Sequence, residues 1–213
     1  MKTLELFAGT GSFSKVAKIL GHETFTVDKF FFQEEEMKID LITDLETTNL
    51  LFLGNKYDLI WSSPPCTAFS VASIGRNWDK ETRLPKSEKA LLGLRLLENT
   101  IKIISEKKPK FWCIENPRGM MRKVIDKIFK KYNITNYERK TITYCQYGDN
   151  KMKPTDIWTN IKTWESRPIC KNDASCHISA PRGSKTGTQG LKNNKERSII
   201  PPALFYEIFK SLE

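Results

Sequence analysis

The chain has 213 residues, 39% of them apolar, and a formal net charge of +10, which fits one domain with an ordinary core and a small appendage. The basic balance favours a polyanionic partner, nucleic acid ahead of an anionic membrane. No stretch approaches the roughly 18 continuous apolar residues of a membrane helix, the first residues lack a signal peptide's apolar core, and five dispersed cysteines argue against a disulfide framework and for a reducing, cytoplasmic setting.

Residues 4–7 predict a first strand, which runs into Ala8-Gly9-Thr10-Gly11-Ser12 and a helix over 13–20 closed by Gly21. Residues 23–27 predict a second strand ending at Asp28, and 38–42 a short third with Asp44 just beyond. A buried fourth strand over 57–62 delivers Pro64-Pro65-Cys66. Residues 68–86 mix Gly, Pro and charges without a period and predict a long loop. Ser87 then caps a helix on which Leu91, Leu94, Ile101 and Ile104 recur at near-helical spacing.

Residues 111–115 predict a fifth strand, which delivers Glu115 and Asn116 and stops at Pro117. An amphipathic helix follows over 120–132, with Val124, Ile125, Ile128 and Phe129 on its apolar side. Strands are expected at 141–144 and 156–160, then an irregular stretch over 162–195, and a helix over 199–209 opened by proline. No internal repeat is present.

Alternating strands and helices predict an α/β fold: a doubly wound, mostly parallel sheet covered on both faces, with a small irregular insert near the C-terminus. The expected division is a domain over 1–161, the insert over 162–196, and a segment over 197–213 packing back on the domain. Ligands bind such sheets beyond the carboxyl ends of the strands. The glycine loop, Asp28, Asp44, Cys66 and Glu115 all fall at such ends.

A cysteine after two prolines at a strand end is held on stiff backbone at a mouth. A nucleophile there and a carboxyl group at the end of another strand point to covalent chemistry with proton transfer. The glycine loop lets the backbone pass close to a ligand and exposes helix-terminal N–H groups. It lacks the third glycine of a dinucleotide fingerprint, and no Gly-Lys-Ser/Thr follows it. Asp28 suits either ribose hydroxyls or an ordinary cap or surface charge. Cys113, between Trp112 and Ile114, reads as core.

The ordered set Phe7-Ala8-Gly9-Thr10-Gly11, Pro64-Pro65-Cys66, Glu115-Asn116-Pro117 and Gln146-Tyr147-Gly148 resembles the cytosine-5 DNA methyltransferase family over residues 1 to about 160, with a fainter likeness over 197–208. The resemblance implies a Rossmann-like fold that uses S-adenosylmethionine (AdoMet). Phe7, Gly9, Thr10, Gly11 and Pro64 would then line the cofactor, Asp28 would take the ribose hydroxyls and Asp44 the adenine amino group. Cys66, Glu115, Asn116 and Lys153 would form the catalytic set. Cys66 would add to C6 of a flipped cytosine, and Glu115 would contact N3 and the exocyclic amine.

Three positions depart from the family pattern. Ser12 replaces a glycine, and Pro117 follows Glu-Asn where valine is common. Lys153 stands where an arginine would hold the cytosine O2, and it brings charge without the planar fork. The region that would recognise a target is also short, over 162–196. Arg76, Trp78 and Arg83 in the loop after Cys66 are candidates to close over DNA, against an ordinary mobile loop. Arg182, Lys185 and Gln189 would contact DNA, against a merely solvated connection.

Cys170, Cys176 and His177, joined by Cys145, could form a zinc site that fixes the insert, although the spacing is not a standard knuckle; the alternative is free thiols and a surface histidine. The expected partner is double-stranded DNA, with no membrane, and the expected state is a monomer. The alternatives are an enzyme acting on RNA, transfer RNA in particular, and a catalytically silent DNA-binding homologue.

Overall fold

The computed structural model describes residues 1–29, 39–46, 53–54, 56–171, 174–179 and 194–213. In chain order the elements are β1 (Lys2–Leu6), α1 (Ser12–Ile19), β2 (Glu23–Asp28), β3 (Leu41–Ile42), β4 (Leu59–Ser62), α2 (Ile74–Asn77), α3 (Glu88–Lys107), β5 (Phe111–Pro117), α4 (Met121–Lys131), β6 (Glu138–Thr143), β7 (Pro154–Thr159), α5 (Asn194–Ser198) and α6 (Pro202–Lys210). The strands form one seven-stranded sheet in the order β3-β2-β1-β4-β5-β7-β6. The first five run parallel, and β7 is antiparallel to both its neighbours. This is the expected doubly wound, mostly parallel sheet.

Strand alternation sorts the core into two layers. Leu4, Leu6, Ile60, Trp112 and Ile114 face α3 and α4 and pack with Leu97, Ile101, Val124, Ile125 and Phe129. Leu59, Trp61 and Cys113 face the other way, onto Phe13 and Val16 of α1 and Leu204, Phe205 and Phe209 of α6. Phe13 stacks on Trp61 at 5.8 Å and meets Phe205 edge-on at 5.5 Å. The C-terminal helix is thereby fastened to the helix that follows the glycine loop. Among the described residues no helix is long and apolar enough to cross a membrane.

Several boundaries and one helix face differ from expectation. The third strand is only Leu41–Ile42, and Lys38 lies outside the described residues. The last helix begins at Pro202, because a residue followed by proline is pushed out of the helical region and both Ile200 and Pro201 are so placed. A short helix, α5, precedes it and overlaps only the last two positions of the stretch expected to be irregular. On α3, Ile101 and Ile104 are buried as expected, but Leu91 is exposed. Ala90 and Gly93 lie on the buried side instead, because the turn after Cys66 packs there. A Cβ on Gly93 would lie 2.5 Å from that of Ala68.

Residues 68–86 are not a free loop. Two 3-10 turns, Cys66–Ala68 and Val71–Ser73, lead into α2. Trp78, expected to reach DNA, is instead fully buried. Its ring stacks on Phe69 at 5.7 Å and its indole N–H donates to the Ala68 carbonyl at 2.7 Å. Asn77 donates to the carbonyls of Thr67 and Ala68 and accepts from the Ser87 hydroxyl, which in turn caps α3. Large aromatic area without sequence period was drawn inward.

Candidate active site

The order of the parallel strands reverses between β1 and β4, the point at whose carboxyl ends sheets of this kind bind ligands. After β1 the backbone curls through positive φ at Phe7 (58°), Gly9 (51°) and Gly11 (66°). A non-glycine residue in that region is uncommon, so the strain at Phe7 marks an over-determined turn. The turn is tied to β2 by the Ala8 N–H on the Val27 carbonyl and the Gly9 N–H on Asp28 Oδ2 at 2.9 Å. Ser12, in place of a glycine, uses its hydroxyl to accept from the Ile200 N–H at 3.2 Å and so docks the segment before α6 on this loop.

The N–H groups at the start of α1 were expected to face a ligand. Two of them are already satisfied. Glu5, on the α1 side of β1, accepts from the N–H groups of Phe13 and Ser14 at 3.3 and 3.0 Å and from the Ser14 hydroxyl at 2.5 Å. Burial pushes the Glu5 carboxyl up to about 7 despite these donors. A carboxyl raised on folding contributes stability that is full below the unfolded value of 4.5 and is lost as pH climbs to about 7. Between those limits the stability difference between the native chain and Glu5→Gln should shrink by about 3 kcal/mol in total. Urea titrations at a series of pH values check this, and a pH-independent difference would contradict it.

Asp28 ends β2 and Asp44 stands just beyond β3, as expected of a site for a hydroxylated, amine-bearing ligand. Asp44 Oδ2 accepts from Lys29 at 2.6 Å and Oδ1 from the Glu46 N–H, which together hold its carboxyl below the usual range. Space beside the loop is open: a Cβ on Gly9 would meet only the Phe7 carbonyl, at 3.9 Å. Curled backbone, two strand-end carboxylates and this opening fit AdoMet, with Pro64 buried on the β4 side.

Cys66 follows the end of β4 and is exposed at the mouth. Its backbone carbonyl accepts from the N–H groups of Phe69 and Ser70, which fixes the turn. The turn is pinned to β5 from two directions. The Asn116 side-chain amide donates to the Pro64 carbonyl at 2.8 Å. Met120 N–H donates to the Phe69 carbonyl at 2.7 Å, where Gly119 leaves no room for a side chain, since its Cβ would lie 2.2 Å from that oxygen. Asn116 therefore sets the position of the Pro-Pro-Cys segment.

Glu115 is buried beside this turn. The Tyr144 hydroxyl donates to it at 2.9 Å, and Ser63 gives a further hydrogen bond. Lys153 lies 4.6 Å above the Tyr144 ring and donates to the Arg197 carbonyl at 2.7 Å. It sits in a positive-φ turn of 27°. Desolvation raises the Glu115 carboxyl above its ordinary value, while Lys153 and the Tyr144 and Ser63 hydrogen bonds pull it down. Although Cys66 meets solvent, its sulfur sits among enough packed atoms that desolvation raises the thiol; Lys153 and Arg197 oppose this and Glu115 adds to it. Cys66, Glu115 and Lys153 are thus within electrostatic reach of one another.

Tyr144, Ser63, Arg197 and Glu5 escaped the sequence reading as site residues. Only the placement of Tyr144 just before Gln146-Tyr147-Gly148 hinted at its part. Arg76 and Arg83 are exposed on the excursion after Cys66, apart from the buried groups. Arg182, Lys185 and Gln189 lie outside the described residues. Cys113 is core, as read: its thiol contacts Thr159 Oγ1 at 3.4 Å, and burial pushes it up to about 12. Cys145, Cys170, Cys176 and His177 converge, with their ligand atoms all within 4.8 Å of one another.

The Frog virus 3 (isolate Goorha) protein named "Probable DNA (cytosine-5)-methyltransferase" is 29% identical over 227 aligned positions, which cover 98% of both chains. The solved structure of the S. pombe Dnmt2 methyltransferase superposes with a TM-score of 0.51 at 16% identity, over 78% of this chain and 52% of that one. The Entamoeba histolytica methyltransferase EhMeth gives a TM-score of 0.52 at 15% identity, over 82% and 57%. The chain spans about half the length of these structures, and at that identity the likeness is one of fold. The model of the C-5 cytosine-specific DNA methylase family matches residues 1–146, the stretch that holds the glycine loop, Cys66, Glu115 and Tyr144. The chain belongs to the C-5 cytosine-specific DNA methylase family.

Proposed function

We propose that this chain methylates carbon 5 of cytosine in double-stranded DNA through a covalent bond between Cys66 and a cytosine turned out of the helix. The observation that supports this reading best is the grouping of Cys66, Glu115 and Lys153 at neighbouring strand ends, next to the loop and carboxylates that would hold AdoMet. AdoMet, which the 7–11 loop, Asp28 and Asp44 would hold, would supply an electrophilic sulfonium methyl group and leave as the thioether S-adenosylhomocysteine. Cytosine C5 is a weak nucleophile until its ring is activated. The Cys66 thiolate adds to C6 while the C5=C6 electron pair moves to C5 and Glu115 gives a proton to N3. C5 takes the methyl group. A base then removes the C5 proton, the C6–S bond breaks, and the thiolate and the Glu115 proton are restored.

Charges near the site suit this sequence. Lys153 favours both the thiolate and the carboxylate. Lys153→Met should therefore raise both groups further, move the pH profile of Cys66 alkylation by iodoacetamide to higher pH, and slow methyl transfer near neutrality by roughly ten-fold or more. Lys153→Arg, which keeps the charge, should leave the alkylation profile nearly in place. An unchanged profile in Lys153→Met would remove the lysine from the mechanism.

Reaching a stacked base costs a few kcal/mol. Arg76 and Arg83, exposed on the anchored excursion, would hold phosphates meanwhile, and the net charge of +10 favours the encounter. The reading is tested by supplying labelled AdoMet with equal masses of duplex DNA and transfer RNA. Label in DNA cytosine supports it. Label in RNA alone transfers the chemistry to the other substrate, and no label in either, with folded protein that binds AdoMet, overturns it.

A further inference from the structure

We propose that Cys145, Cys170, Cys176 and His177 bind one zinc ion, which fastens the segment after β7 to the turn after β6. Cys145 lies in the 3-10 turn Tyr144–Tyr147, and the other three residues come from the insert, 25 or more positions along the chain. Chains that approach from two directions nevertheless bring four ligand atoms within 4.8 Å. The Cys170 and Cys176 sulfurs are 3.3 Å apart, and each is 3.6 Å from His177 Nδ1. A tetrahedral zinc with Zn–S of about 2.3 Å and Zn–N of about 2.1 Å requires ligand spacings of roughly 3.6–3.8 Å, close to these. The adjacent pair Cys176 and His177 does converge, despite a spacing that is not a standard knuckle.

The surroundings have the features of a metal site. The far nitrogen of His177, Nε2, lies 3.4 Å from the Ser179 hydroxyl. A proton held there leaves the Nδ1 lone pair facing the sulfurs, as a ligating histidine needs. The Gln146 amide donates to Cys176 Sγ at 3.5 Å, and Thr143 Oγ1 accepts from the Cys170 N–H at 3.0 Å. The first contact orients a thiolate directly, and the second fixes the backbone that carries Cys170. A disulfide between Cys170 and Cys176 would account for two of the four groups and leave Cys145 and His177 gathered without cause.

A staple is also physically useful here. The stretch from Lys162 to Ser179 contributes only Trp164 to the buried core among its described residues. Polar contacts hold its first part: Arg167 N–H on the Tyr147 hydroxyl and the Arg167 guanidinium on the Gln146 carbonyl and on Glu207. Beyond it, Ile178 N–H meets the Asn150 carbonyl. A short segment with so little apolar area gains its order from a metal. Cys145 directly follows Tyr144, whose hydroxyl holds Glu115, so the ion would also brace that wall of the active site.

Protein purified under reductant without added metal should carry about one zinc per chain by elemental analysis. After exchange, cobalt(II) should show the visible bands of a tetrahedral site with thiolate charge transfer. Cys170→Ser and Cys176→Ser should each lose the metal and the amide-exchange protection of residues 162–179, while Cys113→Ser keeps both. Folded, reduced native protein that contains no zinc and gives no cobalt spectrum would overturn the proposal, whatever the variants do. So would a Cys170–Cys176 disulfide in protein kept under reductant.

Discussion

Cys66→Ala should fold as the native chain does, bind AdoMet, and lose methyl transfer by at least about 10⁴-fold. The side chain is exposed, so its truncation removes little packing and should change stability by no more than about 0.5 kcal/mol. The turn itself is held by backbone: the Cys66 carbonyl accepts two N–H groups, and Asn116 grips Pro64. No other cysteine of the chain is placed to replace the sulfur. Cys113 is sealed in the core with its thiol pushed up to about 12, and Cys145, Cys170 and Cys176 belong to another cluster. Scintillation counting of labelled DNA, together with AdoMet binding by calorimetry, separates the two effects. Retained transfer would mean that the ring is activated without this nucleophile.

Glu115→Gln should cost about 10²- to 10⁴-fold in rate with little loss of stability. Glutamine keeps the shape and can still accept from the Tyr144 hydroxyl, which now donates to Glu115 at 2.9 Å. It cannot give up a proton. Desolvation already holds the native carboxyl above its ordinary value, which brings its proton closer to use at neutral pH. The sign for stability follows from the same cause. A buried carboxyl raised on folding loses stability as pH rises, so the neutral glutamine should match or exceed the native chain at high pH. A variant that loses activity while gaining alkaline stability identifies a charge kept for chemistry. Equal loss of both would mark Glu115 as structural.

The proposed catalytic pair, Cys66 and Glu115, was legible because each member ends a buried apolar run and is followed or preceded by proline, so its place follows from strand geometry. The glycine loop and Asp28 were legible for the same reason. Glu5 was not: an acid inside an alternating strand reads as facing solvent, and only the packing of α1 shows it capping that helix from beneath. Trp78 was misplaced because aperiodic sequence does not reveal which aromatic turns inward. Tyr144 and Arg197 reach the site through the antiparallel return of β7 and the docking of the C-terminal segment, contacts between positions far apart in the chain. The cysteine cluster was visible as composition, but its convergence depends on the two routes by which the chain reaches it.

Duplex DNA with 5-fluorocytosine at its target positions should become covalently bound to the native protein in the presence of AdoMet. Fluorine cannot leave C5 as a proton does, so the bond from sulfur to C6 persists. Mass spectrometry of the digested complex should find the nucleotide on the peptide that contains Cys66, and none on Cys66→Ala. A complex attached through any other residue, or methylation of ordinary cytosine with no trapped complex at all, would contradict the covalent mechanism.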